Sequence, residues 1–181
     1  MAYDKTLVTP RLTLRAPHSS DAAELFALHS DVDVMRYFSE PPWTDAARPA
    51  FQIEEDQAKF AREEAFRFAI TLTANGRFIG NCTLFALHRQ NRRGEVGYAL
   101  QRRHWGHGYM HEAMGALLTY AFTEHDLNRL QADIDPRNQG SANCLERLGF
   151  LREGLLRERW IVGGDVSDSL VYGLLRREWE G

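Results

Sequence analysis

The stretch from Glu95 to Phe122 constrains this chain most, because it reads as three local structures in immediate succession. Glu95-Val96-Gly97-Tyr98-Ala99-Leu100 has the length and the aliphatic and aromatic content of a strand. Arg103-His104-Trp105-Gly106-His107-Gly108 then sets two glycines one residue apart. Glycine serves where φ must be positive, or where another group approaches the backbone too closely for a side chain. Met110, Ala113, Met114, Leu117, Leu118, Ala121 and Phe122 follow at the spacing of a helix with one buried face. The first N–H groups of such a helix lack partners and carry partial positive charge, so an anion, phosphate above all, is favoured there. A nucleotide P-loop is excluded by the missing Gly-Lys-Ser/Thr ending, and a dinucleotide fingerprint by His111 in place of the third glycine. By itself, Gly-x-Gly is equally the mark of a tight turn without a ligand.

The rest of the chain supplies the frame for this unit. Arg11 to Arg15 alternates as a strand, and Ser19, Ser20 or Asp21 is placed to cap a helix bearing Ala23, Leu25, Phe26 and Leu28. Thr44 or Asp45 opens a second helix reaching toward Glu64. Phe66 to Leu72 and Phe78 to Leu87 are strand-like and flank Asn75-Gly76, a hairpin signal. A turn near Gln90 to Gly94 leads into the Glu95 strand. Beyond the glycine helix come a strand at Leu130 to Asp135, a short helix over Ser141 to Leu148, and two strands around Gly163-Gly164-Asp165. This order predicts an α/β protein built on a mixed sheet with helices packed on it.

Composition narrows the function classes. The 181 residues, 44% hydrophobic and 26% charged, fit a single globular domain spanning 1–181 with a full core. Its 22 basic residues are scattered among 25 acidic ones, for a net charge of −3, which disfavours nucleic acid as a partner. With no secretory pattern and no apolar run near the length of a membrane span, the expectation is a cytoplasmic protein without a membrane partner. Cys82 and Cys144 lie far apart without metal-type spacing, so no metal is expected and a reducing compartment suits them.

Four stretches, "TPRLTLR", "GEVGYALQRRHWGHGYMHEA", "NQGSANCLERLGF" and "DSLVYGLLRREW", in this order and spacing, resemble the GNAT superfamily of N-acetyltransferases. The similarity is greatest to the branch of ribosomal-protein N-terminal acetyltransferases (RimJ/RimL-like), and it covers about Pro10 to Trp179. The resemblance implies a GNAT-type fold, a mostly antiparallel twisted sheet with helices on both faces. It also implies acetyl-CoA as cosubstrate and an amine acceptor, either a protein N-terminal α-amine or a small-molecule amine. Arg103, His104, Trp105, Gly106, His107 and Gly108 match the family's cofactor loop, so the CoA pyrophosphate is expected on backbone amides from Arg103 to Tyr109. The pantetheine arm is expected to pair with the strand before the loop at Tyr98, Ala99 and Leu100. Asn138 and Ser141 match the family's Asn-x-x-Ser, and Gly149-Phe150 its closing Gly-Phe; Asn138 and Asn143 are candidates for polar contacts to pantetheine. Asn138 is equally placed to cap a helix. The acceptor is expected between about Val32 to Phe60 and about Arg157 to Asp168, and a homodimer is left open.

Acetyl transfer to an amine requires a base, since the amine attacks only when unprotonated, and donors for the oxygen of the tetrahedral intermediate. Glu95 occupies the strand position where family members carry a carboxylate, and is the candidate base, acting through water; a structural or solvated glutamate is the alternative. Family members use a tyrosine seven residues after the Asn as general acid, but Leu145 stands there. Ser141 is the candidate substitute, against a serine that only caps its helix. The missing tyrosine keeps a second class in view, a non-catalytic acyl-CoA-binding or sensor module. His111-Glu112 opens like a zinc motif, yet Gly115 replaces its second histidine. Cys144 reads as a small core residue, Trp105 as packing, His107 as exposed beside the phosphates, and Asp168 as ordering the last hairpin or lining the acceptor side.

Overall fold

The computed structural model describes residues 5–180. Eight strands form one sheet: β1 (Leu7–Val8), β2 (Leu12–Arg15), β3 (Phe66–Leu72), β4 (Phe78–His88), β5 (Arg93–Leu100), β6 (Arg129–Ile134), β7 (Leu151–Val162) and β8 (Asp165–Leu175). Their spatial order is β1-β2-β3-β4-β5-β6-β8-β7, and every neighbouring pair is antiparallel except β5 with β6. Five helices accompany it: α1 (Ala22–Ser30), α2 (Val32–Met35), α3 (Arg48–Ala61), α4 (Tyr109–Thr123) and α5 (Gln139–Arg147). The sheet is therefore mixed, as the order of elements predicts, and mostly antiparallel, as the family resemblance implies.

Alternation along the strands sorts the core into two layers. Leu12, Leu14, Phe66, Phe68, Ile70, Val96, Leu130 and Ala132 face α4 and α5, which contribute Ala113, Met114, Leu117, Leu118, Ala142 and Leu145. Ala69, Phe78 and Ala99 face the other way, toward Leu25 and Leu28 of α1, Val34 of α2, Ile53 of α3 and Trp43. Helices thus cover both faces. In the second layer His29 stacks on Trp43 with ring centroids 4.5 Å apart and meets the Asn81 amide at 3.1 Å. Burial, reinforced by Arg67 and Arg48, drops His29 to about 3, so it stays neutral.

Several boundaries depart from the sequence expectation, each for a local reason. No side chain caps α1; Ser19–Asp21 form a 3-10 turn, and the Asp21 carboxylate instead holds the Arg15 guanidinium at 2.7 and 2.8 Å and the His18 amide at 2.8 Å. α2 had no counterpart in the sequence pattern: it is one turn, begun by Asp31 accepting from the Asp33 and Val34 amides. α3 starts at Arg48 because Asp45 first closes a turn on the Ala47 amide, and it ends at Ala61, ahead of Glu63 at φ 54°. Asp168 accepts from the Glu158 amide at 2.8 Å, where β7 bulges and Glu158 adopts φ 50°. That contact orders the hairpin. Among the described residues no helix is long and apolar enough to cross a membrane.

β4 and β5 approach most closely at Gly80, where an added Cβ would lie 2.3 Å from the Ala99 carbonyl oxygen. Since both atoms belong to paired strands, neither can yield without loosening the ladder. Gly80→Ala should therefore cost about 1–3 kcal/mol of stability, seen as a lower urea midpoint with an unchanged slope. An unchanged midpoint would show that β4 and β5 can separate freely here.

Candidate functional site

β5 and β6 run side by side only from Arg93↔Arg129 to Glu95↔Gln131. Beyond that point β5 stays with β4 as far as Gly80↔Leu100, while β6 stays with β8 as far as Ile134↔Leu170. Each strand follows its outer neighbour, so a wedge opens between them. The β6-facing edge of β5 past Glu95 keeps backbone groups that no strand pairs. A cleft of about 830 Å³ lies against β5 at Tyr98 to Leu100, beyond the last β5–β6 pair, and continues over the glycine loop and the start of α4. Its walls include Tyr98, Ala99, Leu100, His104, Trp105, Gly106, Gly108, Tyr109, Asn138, Ser141 and Asn143, so eleven sequence candidates converge on one space. The side chains of Glu95, Arg103 and His107 are not among its walls.

In the loop, Gly106 and Gly108 both adopt left-handed φ, at +77° and +75°, which a side chain would strain. A Cβ at Gly106 would meet nothing within 4 Å, and one at Gly108 only Arg11 Nη2 at 3.5 Å, so the space over the loop is open. Gly108 is the N-cap of α4 and no side chain caps the helix, leaving its first amides free to receive an anion. Trp105 lines the cleft with its indole N–H donated to the Leu100 carbonyl at 2.7 Å. Arg103 turns away to Gln101 at 2.7 Å and Glu24 at 3.2 Å, and His107 sits outside with Nδ1 2.7 Å from the Trp105 carbonyl and its ring stacked on Tyr109.

The loop is anchored from the far end of the chain. Glu112, in the first turn of α4, accepts from the Thr9 hydroxyl at 2.6 Å, the Arg11 amide at 2.9 Å and Arg11 Nε at 2.6 Å. Arg11 also donates to the His107 carbonyl at 2.9 Å and lies over the Tyr109 ring at 4.6 Å. Here the zinc-like His111-Glu112 pair has a structural use for its glutamate. Among the described residues no group of three or more His, Cys, Asp or Glu is placed to hold a metal.

On the α5 side, Asn138 is both cap and wall: its Oδ1 accepts from the Ser141 amide at 3.1 Å while it lines the cleft. Asn143 lines the cleft too, its Oδ1 accepting from Gln139 at 2.8 Å. Leu145 is fully buried in the core and cannot reach the wedge. A phenol arrives instead from β5, with Tyr98 Oη 2.7 Å from Ser141 Oγ across the opening. Burial, with Cys144 beside it, raises Tyr98 above the ordinary phenol range, so it remains a neutral donor. Cys144 itself lines the cleft rather than lying wholly in the core, its thiol pushed up by burial.

Glu95 sits at the apex of the wedge, half-buried, on the face that carries Gly97 and Ala99. Its register partner Gln131 and the next same-face residue, Asp133, continue this face beyond the last β5–β6 pair. Asp133 Oδ1 is buried without a hydrogen-bond partner, Oδ2 lies 3.6 Å from Arg159 Nε, and burial raises this carboxyl above the usual range. The sequence reading missed it, although its alternation with Gln131 and the buried Leu130 and Ala132 carried the signal.

The family model of the acetyltransferase (GNAT) domain matches residues 11–151. The chain belongs to the GNAT acetyltransferases. It is 37% identical over 177 residues to the uncharacterized N-acetyltransferase p20 of Bacillus licheniformis, covering 98% of this chain and 99% of that one. It is 39% identical over 110 residues to the putative ribosomal N-acetyltransferase YdaF of Bacillus subtilis, covering 61% and 60% of the two chains. A solved probable acetyltransferase superposes with a TM-score of 0.85 at 29% identity, covering 97% and 99%. This GNAT protein is accordingly an N-acetyltransferase that takes its acetyl group from acetyl-CoA. The fit is physical as well: an open, positively ended helix start suits a pyrophosphate, and an unpaired strand edge suits an extended amide chain.

Asp33, Val34, Arg36, Tyr37 and Phe38 of the α2 region also wall the cleft; they fall in the segment from about Val32 to Phe60 expected on the acceptor side, but none was singled out, and neither were Arg102, Arg137 and Arg147. Arg147 lies on the polar side of α5, and the others lie in short or irregular segments without periodicity.

Glu112 also makes the site sensitive to acid. Burial alone would raise its carboxyl, but the hydrogen bonds from Thr9 and Arg11 outweigh that and hold it below the ordinary value of 4.5. A carboxyl depressed in the folded state stabilises above its unfolded pKa, and that contribution is lost as pH falls through the folded value. Glu112→Gln should therefore destabilise the protein at pH 7 and narrow its loss of stability between pH 6 and pH 3, measured by urea melts. Parallel acid profiles for both proteins would remove Glu112 from this role.

Proposed function

We propose that the protein transfers acetyl directly from acetyl-CoA to a primary amine, a protein N-terminal α-amine or a small-molecule amine, in the cytoplasm. The wedge between β5 and β6 carries this reading, because it joins an anion-accepting helix start on one side to the Glu95 face on the other. The backbone from Arg103 to Tyr109 holds the pyrophosphate, with Gly106 and Gly108 keeping the approach clear. Tyr98, Ala99 and Leu100 present the strand edge to pantetheine, flanked by Asn138 and Asn143. His104 and Trp105 wall this passage. When bound, acetyl-CoA supplies an activated acyl thioester.

The protein's own groups manage protons and orientation. An acceptor amine arrives largely protonated, with a reference pKa of about 8 for an α-amine and about 10 for lysine, so Glu95 takes the proton, through water. Asp133, farther along the same face, is paired with Arg159. Ser141 donates a proton to the departing sulfur, and Tyr98, at 2.7 Å, holds the serine hydroxyl in place.

A thiol-release assay with peptides of varied N-terminal residue, polyamines and aminoglycosides tests the reading. Turnover of any amine supports direct transfer, whereas tight acetyl-CoA binding with no turnover across the panel favours a non-catalytic acyl-CoA sensor. Glu95→Gln should lower turnover at neutral pH at least tenfold while leaving acetyl-CoA affinity within about twofold. Ser141→Ala should slow single-turnover transfer by a similar factor, and an unaltered rate would return the proton to water. Gly108→Val, forced into left-handed φ and set over the loop, should weaken acetyl-CoA binding by at least tenfold, about 1.4 kcal/mol; full affinity in a folded variant would rule out the pyrophosphate site.

A further inference from the structure

Four arginines line the cleft, and their partners separate them. Arg36 is paired with Asp33 at 2.5 Å, Arg102 with the same Asp33, and Arg137 with Asp135 at 2.7 Å and Asp165 at 3.2 Å. Arg147 differs: among the described residues its guanidinium has no ion pair and no hydrogen bond. An exposed arginine in the last turn of a helix complements the dipole at that end, and this alone would explain its charge but not its place in the cleft wall.

The surroundings of Arg147 point to an anion. Gln139, Asn143 and Arg147 stand at i, i+4 and i+8 on α5 and all line the cleft, so they form one polar row along it. Within the row Gln139 and Asn143 bond to each other, and Arg147 alone carries a charge. From α4, the exposed His111 faces the same space, also without a side-chain partner among the described residues. Arg147 and His111 are shared with a second groove, about 1120 Å³, that runs on along α4 past β1. They therefore stand where the cleft opens away from the wedge, beyond the loop assigned to the pyrophosphate. Coenzyme A carries a further phosphate on its ribose, a monoester with about two negative charges near neutral pH, a few bonds from the pyrophosphate. A free guanidinium with five donors suits such a group in both charge and geometry.

We propose that Arg147, with His111 beside it, binds the ribose 3′-phosphate of coenzyme A and makes the cleft select coenzyme A over its dephospho form. The proposal rests on the acyl-CoA reading of the cleft. It assigns the donor's outer end to a charged side chain, whereas the pyrophosphate is held by backbone.

Calorimetric titration of the wild type, Arg147→Gln and Arg147→Lys with coenzyme A and with dephospho-coenzyme A tests it. The wild type should bind coenzyme A at least tenfold more tightly than dephospho-coenzyme A, about 1.4 kcal/mol. Arg147→Gln should bring the two affinities within about twofold of each other while leaving that for dephospho-coenzyme A unchanged, and Arg147→Lys should keep part of the preference. Equal binding of both ligands by the wild type overturns the proposal and leaves the acyl-CoA reading standing. So does an equal loss for both ligands in Arg147→Gln, which marks a merely structural arginine. Binding of neither ligand by the folded wild type overturns both readings together.

Discussion

The divergence of β5 from β6 governs everything else in this protein. Two parallel strands that stay paired leave no room between them, and two that part expose backbone groups that must find other partners. Here the parting is held open because each strand is locked to an antiparallel neighbour, β5 to β4 and β6 to β8. The wedge is thus a property of the ladder pattern, not of any one side chain. Glu95 at its apex, Tyr98 and Ser141 bridging its walls and the uncapped α4 start at its rim are arranged around that opening.

The strand–glycine loop–helix unit was legible in the sequence because its parts are regular and its glycines are required by φ. Strand positions were read from alternation for the same reason: β3 falls at Phe66–Leu72 as expected, and the hairpins at Asn75-Gly76 and Gly163-Gly164 fall where their turn residues stand. Local pattern failed where tertiary contacts decide. Nothing in the sequence near Asp21 says that its carboxylate is drawn to Arg15 and the His18 amide instead of a helix cap. The four-residue α2 is too short to show a period, and it supplies cleft walls that no motif marked.

Within the site, residue types were easier to read than their directions. Arg103, central to the motif, points toward Glu24, whereas Arg102 and Arg147 face the cleft. Leu145 stands where family members carry a tyrosine and Ser141 was named in its place, but the phenol that meets Ser141 comes from Tyr98, on a strand 43 residues earlier. A contact made across elements leaves no trace in a linear motif. Conversely, Asn138 needed no choice between its two readings, since one oxygen caps α5 while the side chain lines the cleft.

The clasp of Thr9 and Arg11 on Glu112 bears on how the chain is made. Arg11 and Glu112 are separated by 101 residues, so the contact that braces the start of α4 closes one of the longest loops in the fold. Loop closure of that span is slow compared with helix formation, and it cannot begin on the ribosome until α4 has emerged. The glycine loop consequently sets only after that long-range contact is made. A nascent chain can pair β2 with β3 early, yet the start of α4 is braced only when Thr9 and Arg11 meet a helix about a hundred residues further on.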